Sequence, residues 1–198
     1  MSEPMPTDVA EAKRRLERFL KGETGERLFR CPTGHPSRPT GFCWCDASAG
    51  KMLRLYVRAA ILAVVLKLPF NGLKVRLLRR LGARVGRNVF ISAGAWIDPT
   101  FPQLVTIEDD VFIGMNAHIL THEFRIDEFR AGKVILRRGA FIGGFSLVAC
   151  GVEVGEDAVV AGGAVVGLDV PAGTVATGNP AFIWNRKGAQ PKSDPERE

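Results

Sequence analysis

Residues 136–171 read LRRGAF IGGFSL VACGVE VGEDAV VAGGAV VGLDVP, with spaces set where the text repeats. Leu136, Ile142, Val148, Val154, Val160 and Val166 stand six residues apart. So short and regular a period is read before any local propensity, because it decides the architecture. An α-helix would return apolar residues every 3.6 positions, and this stretch does not. A period of six suits a short strand closed by a tight turn. The second place of each unit is often small (Gly143, Ala149, Gly155, Ala161, Gly167) and the fourth often Gly or Asp (Gly151, Asp157, Gly163). A corner that needs φ > 0 is cheap for glycine and tolerable for Asn or Asp, which accounts for the fourth place. Three such strands make one triangular coil of about 18 residues, and the aliphatic ridges stack from coil to coil.

The same phase occurs upstream as VGRNVF, ISAGAW and IDPTFP from Val85, and as IEDDVF, IGMNAH and ILTHEF from Ile107. The expected class is all-β, a parallel β-helix over residues 85–185. The period breaks twice. From Ile97 to Ile107 the spacing is ten, with Pro99 and Pro102 inside it, and from Ile119 to Leu136 it is seventeen. A solenoid tolerates insertions at its corners, and inserted loops are where function tends to sit. The longer insertion defines a loop over 122–134 that begins at His122. In the fourth place of its unit, His122 should stand at a corner and not in the core.

Upstream, residues 1–84 form a mainly α-helical extension. An amphipathic helix is expected over 8–22, then a Pro/Gly-rich connector, then one or two helices over 51–81 broken near Pro69–Gly72. Residues 186–198 read as a polar tail. The net charge of +6 is unevenly spread: from Ala47 to Ile97 there is no Asp or Glu, while Lys51, Arg54, Arg58, Lys67 and Arg76 are among the cations inside. The basic block, residues 51–87, reads as a cap that closes the first coil, or alternatively as an interfacial helix resting on anionic lipid. Nucleic acid is not an expected partner, because recognition motifs and aromatic platforms are missing. The apolar run Ala59–Leu66 is far shorter than a membrane span and the N-terminus lacks a signal-peptide layout, so a cytoplasmic location is expected, with the inner membrane face as the alternative contact. Cys31, His35, Cys43 and Cys45 form C-x3-H-x7-C-x-C, whose spacing matches no common zinc motif. Reduced thiols and no metal are expected.

The hexapeptides, the THEFR loop and the ending AGGAVVGLDVPAGTVATGNPAFI resemble the left-handed β-helix acyltransferases, and within them the maltose and galactoside O-acetyltransferase group. The resemblance spans about Val85 to Asn185. It implies the left hand of the coil, acetyl-CoA as co-substrate and a homotrimer with sites between neighbouring prisms. It also implies His122 as general base. Removing a hydroxyl proton as oxygen attacks a thioester suits a histidine, which is neutral and basic near pH 7. The group that orients this base is open between a loop carbonyl, Glu123, Asp127 and Glu128, with the carbonyl or Glu123 preferred. Asn116 and His118 are candidates for contact with a small-molecule or glycan acceptor. For coenzyme A the resemblance points to Gly144, Ser146, Ala161, Gly162, Gly178 and Pro180, with Arg186 and Lys187 for the phosphates. Backbone amides near Gly143 or Gly144 are the expected oxyanion donors.

The function so implied is acetyl-CoA-dependent O-acetylation of a sugar or polysaccharide-precursor hydroxyl. Acylation of an amine, on an amino sugar nucleotide or an antibiotic, is the competing activity. A non-catalytic scaffold subunit is a competing class. The γ-carbonic anhydrases share the fold but bind zinc through three histidines, and only His118 and His122 lie in the coils.

Overall fold

The computed structural model of the chain describes residues 9–32, 49–125 and 128–185. His35, Cys43, Cys45, Asp127, Arg186 and Lys187 lie outside the described residues.

Three parallel sheets form the faces of a triangular prism. The first face holds β2 (Arg84–Val85), β5 (Val105–Ile107), β10 (Val134–Leu136) and β13 (Glu153–Val154). The second holds β3 (Phe90–Ile91), β6 (Phe112–Ile113), β11 (Phe141–Ile142), β14 (Val159–Val160) and β16 (Thr174–Thr177), closed by the antiparallel β17 (Phe182–Asn185). The third holds β4 (Trp96–Ile97), β7 (His118–Ile119), β12 (Leu147–Val148) and β15 (Val165–Val166). In register, Ile97 lies below Ile119 and Ile119 below Val148, so each aliphatic ridge is one residue wide. Ile91, Ile97, Ile113, Ile119, Leu136, Ile142 and Val160 are buried and belong to one core that runs the length of the prism.

The corners follow from backbone sterics. Asn88, Gly94, Asp110, Asn116, Gly139, Phe145, Gly151, Asp157 and Gly163 all have positive φ. The small second place has a separate cause. A Cβ on Gly114 would lie 2.5 Å from the amide nitrogen of Gly144 in the next coil, and one on Gly143 equally close to that of Gly162. Coils could not stack at that spacing with a larger residue there. Two of the hexapeptides differ from expectation, because only Ile97 of IDPTFP and Ile119 of ILTHEF sit in the ridge and the chain then departs. The segment after Ile119 is not an irregular loop but a hairpin of β8 (His122–Phe124) and β9 (Glu128–Gly132).

The N-terminal extension serves two places. Helices α2 (Ala49–Lys67) and α3 (Asn71–Arg80) contribute Leu62, Leu66 and Leu78 to the prism core at its first coil. Pro69, which disfavours helical backbone in the residue before it, separates them. α3 ends at Gly82 (φ 103), where Ala83 N–H donates to the Leu78 carbonyl and Gly82 N–H to that of Arg79, a glycine-based Schellman cap. Lys74 is buried, with Nζ 2.8 Å from the Ile91 carbonyl, and burial lowers its pKa. By contrast, α1 (Val9–Leu20) and the unanticipated strand β1 (Leu28–Pro32) leave the cap. β1 pairs with β9, and Ala12, Phe19, Phe29, Cys31, Phe129 and Ala131 form a second small core over the hairpin.

Candidate functional site

Both interruptions of the period leave the prism at the same edge, between the third and first faces. The shorter one departs after Ile97, and the longer after Ile119 one coil above it. Stacking therefore brings the starts of the two insertions together. Asp98, the first residue of the shorter, donates its N–H to the Ile119 carbonyl and turns its carboxylate toward Thr121 and His122. His122 Nδ1 lies 2.5 Å from Asp98 Oδ2. The same oxygen accepts from Thr121 N–H at 3.1 Å and Thr121 Oγ1 at 2.6 Å, while Oδ1 accepts from Thr100 N–H at 2.9 Å.

Asp98 is 3% exposed and Thr121 fully buried. Burial alone would push the Asp98 carboxyl upward. The bonds from His122, Thr121 and Thr100 outweigh it and bring the pKa down to about 2. An ionised carboxylate only accepts hydrogen bonds, so Nδ1 carries the proton and the basic lone pair belongs to Nε2. The ring is half-buried among aromatics, with Phe101 edge-on at 5.7 Å, Phe124 at 6.2 Å and Phe129 at 6.1 Å between centroids.

The orienting group is thus Asp98, and the expectation of a loop carbonyl or Glu123 is corrected. His122 and Glu123 are consecutive on β8, so their side chains point to opposite faces of the strand. The Glu123 carboxylate meets Arg125 at 2.9 Å and Arg130 at 3.5 Å. Glu128 pairs with Arg130 at 2.9 Å and Arg30 at 3.5 Å. Nothing beside His122 in the chain points to Asp98, which lies 24 residues upstream of it. Writing the coils in register shows it, since it follows the Ile97 ridge position just as the THEFR insertion follows Ile119. Cys150, nearby, has its thiol pushed up to about 12, by burial first and then by the Glu123 carboxylate, which removes it as a nucleophile at neutral pH.

The remaining candidates divide between two places. Asn116 (φ 53) turns the corner between the second and third faces, and His118 projects from the outer side of the third face, exposed, between Trp96 and Leu147 in register. Gly144, Ala161, Gly162, Gly178 and Pro180 follow that same second-to-third corner upward. The amides of Gly143, Phe145, Ala161 and Gly163 are used in the backbone ladder, whereas those of Gly144 and Gly162 donate to no described residue. Ser146 does not belong with them: its side chain is fully buried and Oγ donates to the Gly143 carbonyl at 2.7 Å. Its hydroxyl locks the corner from inside. No group of three potential metal ligands occurs among the described residues.

Comparison with known proteins agrees with this architecture. The family described as "Hexapeptide repeat of succinyl-transferase" matches residues 104–119 and 134–167. "Putative acetyltransferase YvoF" of Bacillus subtilis (strain 168) is 31% identical over 150 residues, which is 75% of this chain and 87% of that protein. A 2,3,4,5-tetrahydropyridine-2,6-dicarboxylate N-acetyltransferase of Staphylococcus aureus (strain bovine RF122 / ET3-1) is 39% identical over 102 residues, 50% of this chain but only 30% of that protein. Among solved structures, the hexapeptide-repeat acetyltransferase VCA0836 of Vibrio cholerae, complexed with acetyl coenzyme A, superposes with a TM-score of 0.58 at 23% identity, covering 70% of this chain and 90% of that one. A maltose O-acetyltransferase of Clostridium difficile 630 superposes at 0.52 and 21%, covering 67% and 87%. These likenesses give the fold, a left-handed parallel β-helix.

Proposed function

Since the chain belongs to the hexapeptide-repeat acetyltransferases, we propose that it carries the acetyl group of acetyl-CoA to a hydroxyl of a sugar or polysaccharide precursor, with His122 as general base. The observation that carries this reading is the bond that His122 Nδ1–H donates to Asp98, which fixes the tautomer that leaves Nε2 basic. Nε2 takes the hydroxyl proton as that oxygen attacks the thioester carbonyl. The imidazolium so formed is stabilised by the Asp98 carboxylate. On collapse of the tetrahedral intermediate the C–S bond breaks, and the proton passes from Nε2 to the departing sulfur. No covalent enzyme intermediate is needed.

Coenzyme A lies along the second-to-third corner in this reading, where Gly144, Ala161, Gly162, Gly178 and Pro180 let it approach the backbone, with Arg186 and Lys187 for its phosphates. The bare Gly144 amide is suited to the oxyanion. Asn116 and His118 face the acceptor. In one prism the His122 edge and the amide-bearing edge border opposite sides of the third face, so a neighbouring copy that brings its amide-bearing edge to His122 would complete a compact site. A homotrimer with three interfacial sites does this, and sedimentation equilibrium measures it directly.

Replacing His122 with alanine should lower kcat by roughly 10²- to 10⁴-fold while acetyl-CoA binding measured by calorimetry persists. Unchanged turnover would remove His122 from the chemistry, and failure to bind acetyl-CoA in the parent protein would leave a scaffold subunit. The similarity to an N-acetyltransferase supports amine acylation as a second reading. Mass spectrometry on matched hydroxyl and amino acceptors separates the two.

A further inference from the structure

The outward face of α2 is apolar where a capping helix would ordinarily be polar. Leu53, Tyr56, Val57, Ile61 and Val64 are between 48% and 66% exposed, whereas Leu62 and Leu66 on the opposite side are buried in the prism core. At 100° per residue, Leu53, Val57 and Val64 fall on one line, with Tyr56 and Ile61 flanking it. The pattern continues past the Pro69 break through Phe70 (65% exposed) and Leu73 (40%), then changes to cations at Arg76 and Arg80 on the same side of α3. Arg54 and Lys67 border the stripe on α2, both exposed. None of Arg54, Lys67, Arg76 and Arg80 pairs with a carboxylate among the described residues, and no acidic residue occurs between Ala47 and Ile97.

We propose that α2 and the start of α3 dock the protein, in plane, on an anionic lipid bilayer. The apolar stripe enters the boundary between headgroups and acyl chains, and the arginines and lysine meet lipid phosphates. Charge argues for this occupant over the others. A second copy seated by two-fold symmetry on the same face would set its cationic border against an identical one. A soluble polyanion would leave the apolar centre of the stripe in water. Among the described residues no helix is long and apolar enough to cross a membrane, so α2 lies on the bilayer and does not span it. The docked helix is also tied to the site: Arg58 donates to the Pro99 carbonyl at 2.8 Å, next to Asp98, and the Leu66 carbonyl accepts from Gly94 N–H. Docking would thus fasten the segment that supplies Asp98 to the membrane surface.

The test is co-sedimentation of the full chain with vesicles of phosphatidylcholine alone or mixed with phosphatidylglycerol, and it is independent of acetyl transfer. Binding should require phosphatidylglycerol and weaken as salt is raised. The double variant V57E/V64E should bind at least about tenfold more weakly. R76Q/R80Q should lose roughly fivefold per arginine. All four positions are exposed, so both variants should keep the parent's thermal midpoint. No binding, equal binding to neutral vesicles, or undiminished binding by both variants overturns the proposal. So does a lower oligomeric mass of V57E/V64E in sedimentation equilibrium, because a second copy would then be what covers the face.

Discussion

The second-to-third and third-to-first edges of the prism come from the same repeat and enclose the same core, yet only one of them stays regular. At the former the chain turns at Gly94, Asn116, Phe145 and Gly163, each with positive φ, and every coil closes alike. At the latter a single turn of that kind survives, at Gly151; the crossing from Val166 to Val170 stays short without one, and the other two open into the segments that carry Asp98 and His122. Ile97 and Ile119 immediately before those departures are as buried as the residues of any regular rung. Stability in a solenoid comes from contacts between neighbouring coils, so one edge can be given over to chemistry without loss to the ridge beside it. What the irregular edge must do is satisfy a buried carboxylate, which would otherwise cost several kcal/mol. It does so with bonds from Thr100, Thr121 and His122.

If the irregular edge is the catalytic one, Asp98 is indispensable to turnover. In Asp98→Asn the amide can donate to Nδ1, which moves the ring proton to Nε2 and takes away the base. A fall in kcat of roughly 10²- to 10⁴-fold is expected, by analogy with the aspartate-to-asparagine change in a Ser-His-Asp triad. KM for acetyl-CoA should be little changed, since the cofactor candidates lie along the other edge. A variant with normal kcat would show that Asp98 only supports the corner.

How much of this could be read in the text follows the same division. The ridge, the corners and the small second places are local or strictly periodic, and the hexapeptides display them openly. His122 was visible because the period fails directly after it. Asp98 was not, because its meaning depends on which coil lies beneath the other, and Glu123 looked nearer only along the chain. β1 escaped for a related reason: LFRCP carries no repeat, and its partner β9 lies about a hundred residues on. Exposure of the α2 stripe could not be judged from an unbroken apolar run, since Leu62 and Val64 look alike until the helix is placed against the prism.

The irregular edge should also carry an acid-sensitive part of the stability, about 2 kcal/mol. The Asp98 carboxyl titrates at about 2 in the fold against an ordinary value of 3.8. A depressed folded value means stability that is fully present above about pH 4 and lost as the pH falls through about 2. Denaturant unfolding at pH 5 and near pH 2 should therefore show the parent losing about 2 kcal/mol more than Asp98→Asn, which has no carboxylate to protonate there. Parallel losses in the two proteins would mean that the other paired acids, such as Asp109 and Glu128, carry the acid response.

The regular edge has one exception of its own, and it gives the smallest effect. Phe145 holds φ 59 at a corner where its counterparts are Gly94, Asn116 and Gly163, and it is 65% exposed. A bulky side chain in left-handed backbone costs about 1–2 kcal/mol, and an exposed ring regains little of that by burial within this chain. Two replacements separate backbone from ring. Both Phe145→Ala and Phe145→Gly remove the aromatic group, but alanine keeps a Cβ and with it the strain. Allowing for the greater freedom of glycine in the unfolded chain, the glycine variant should still be the more stable by about 1 kcal/mol, or about 2–4 °C in Tm. If the strain is retained so that the ring can cover coenzyme A beside Gly144, both variants should lose acetyl-CoA affinity to the same extent, whatever their Tm. If affinity follows Tm instead, the corner matters to the cofactor only through its backbone, and the two edges are more alike than the site alone implies.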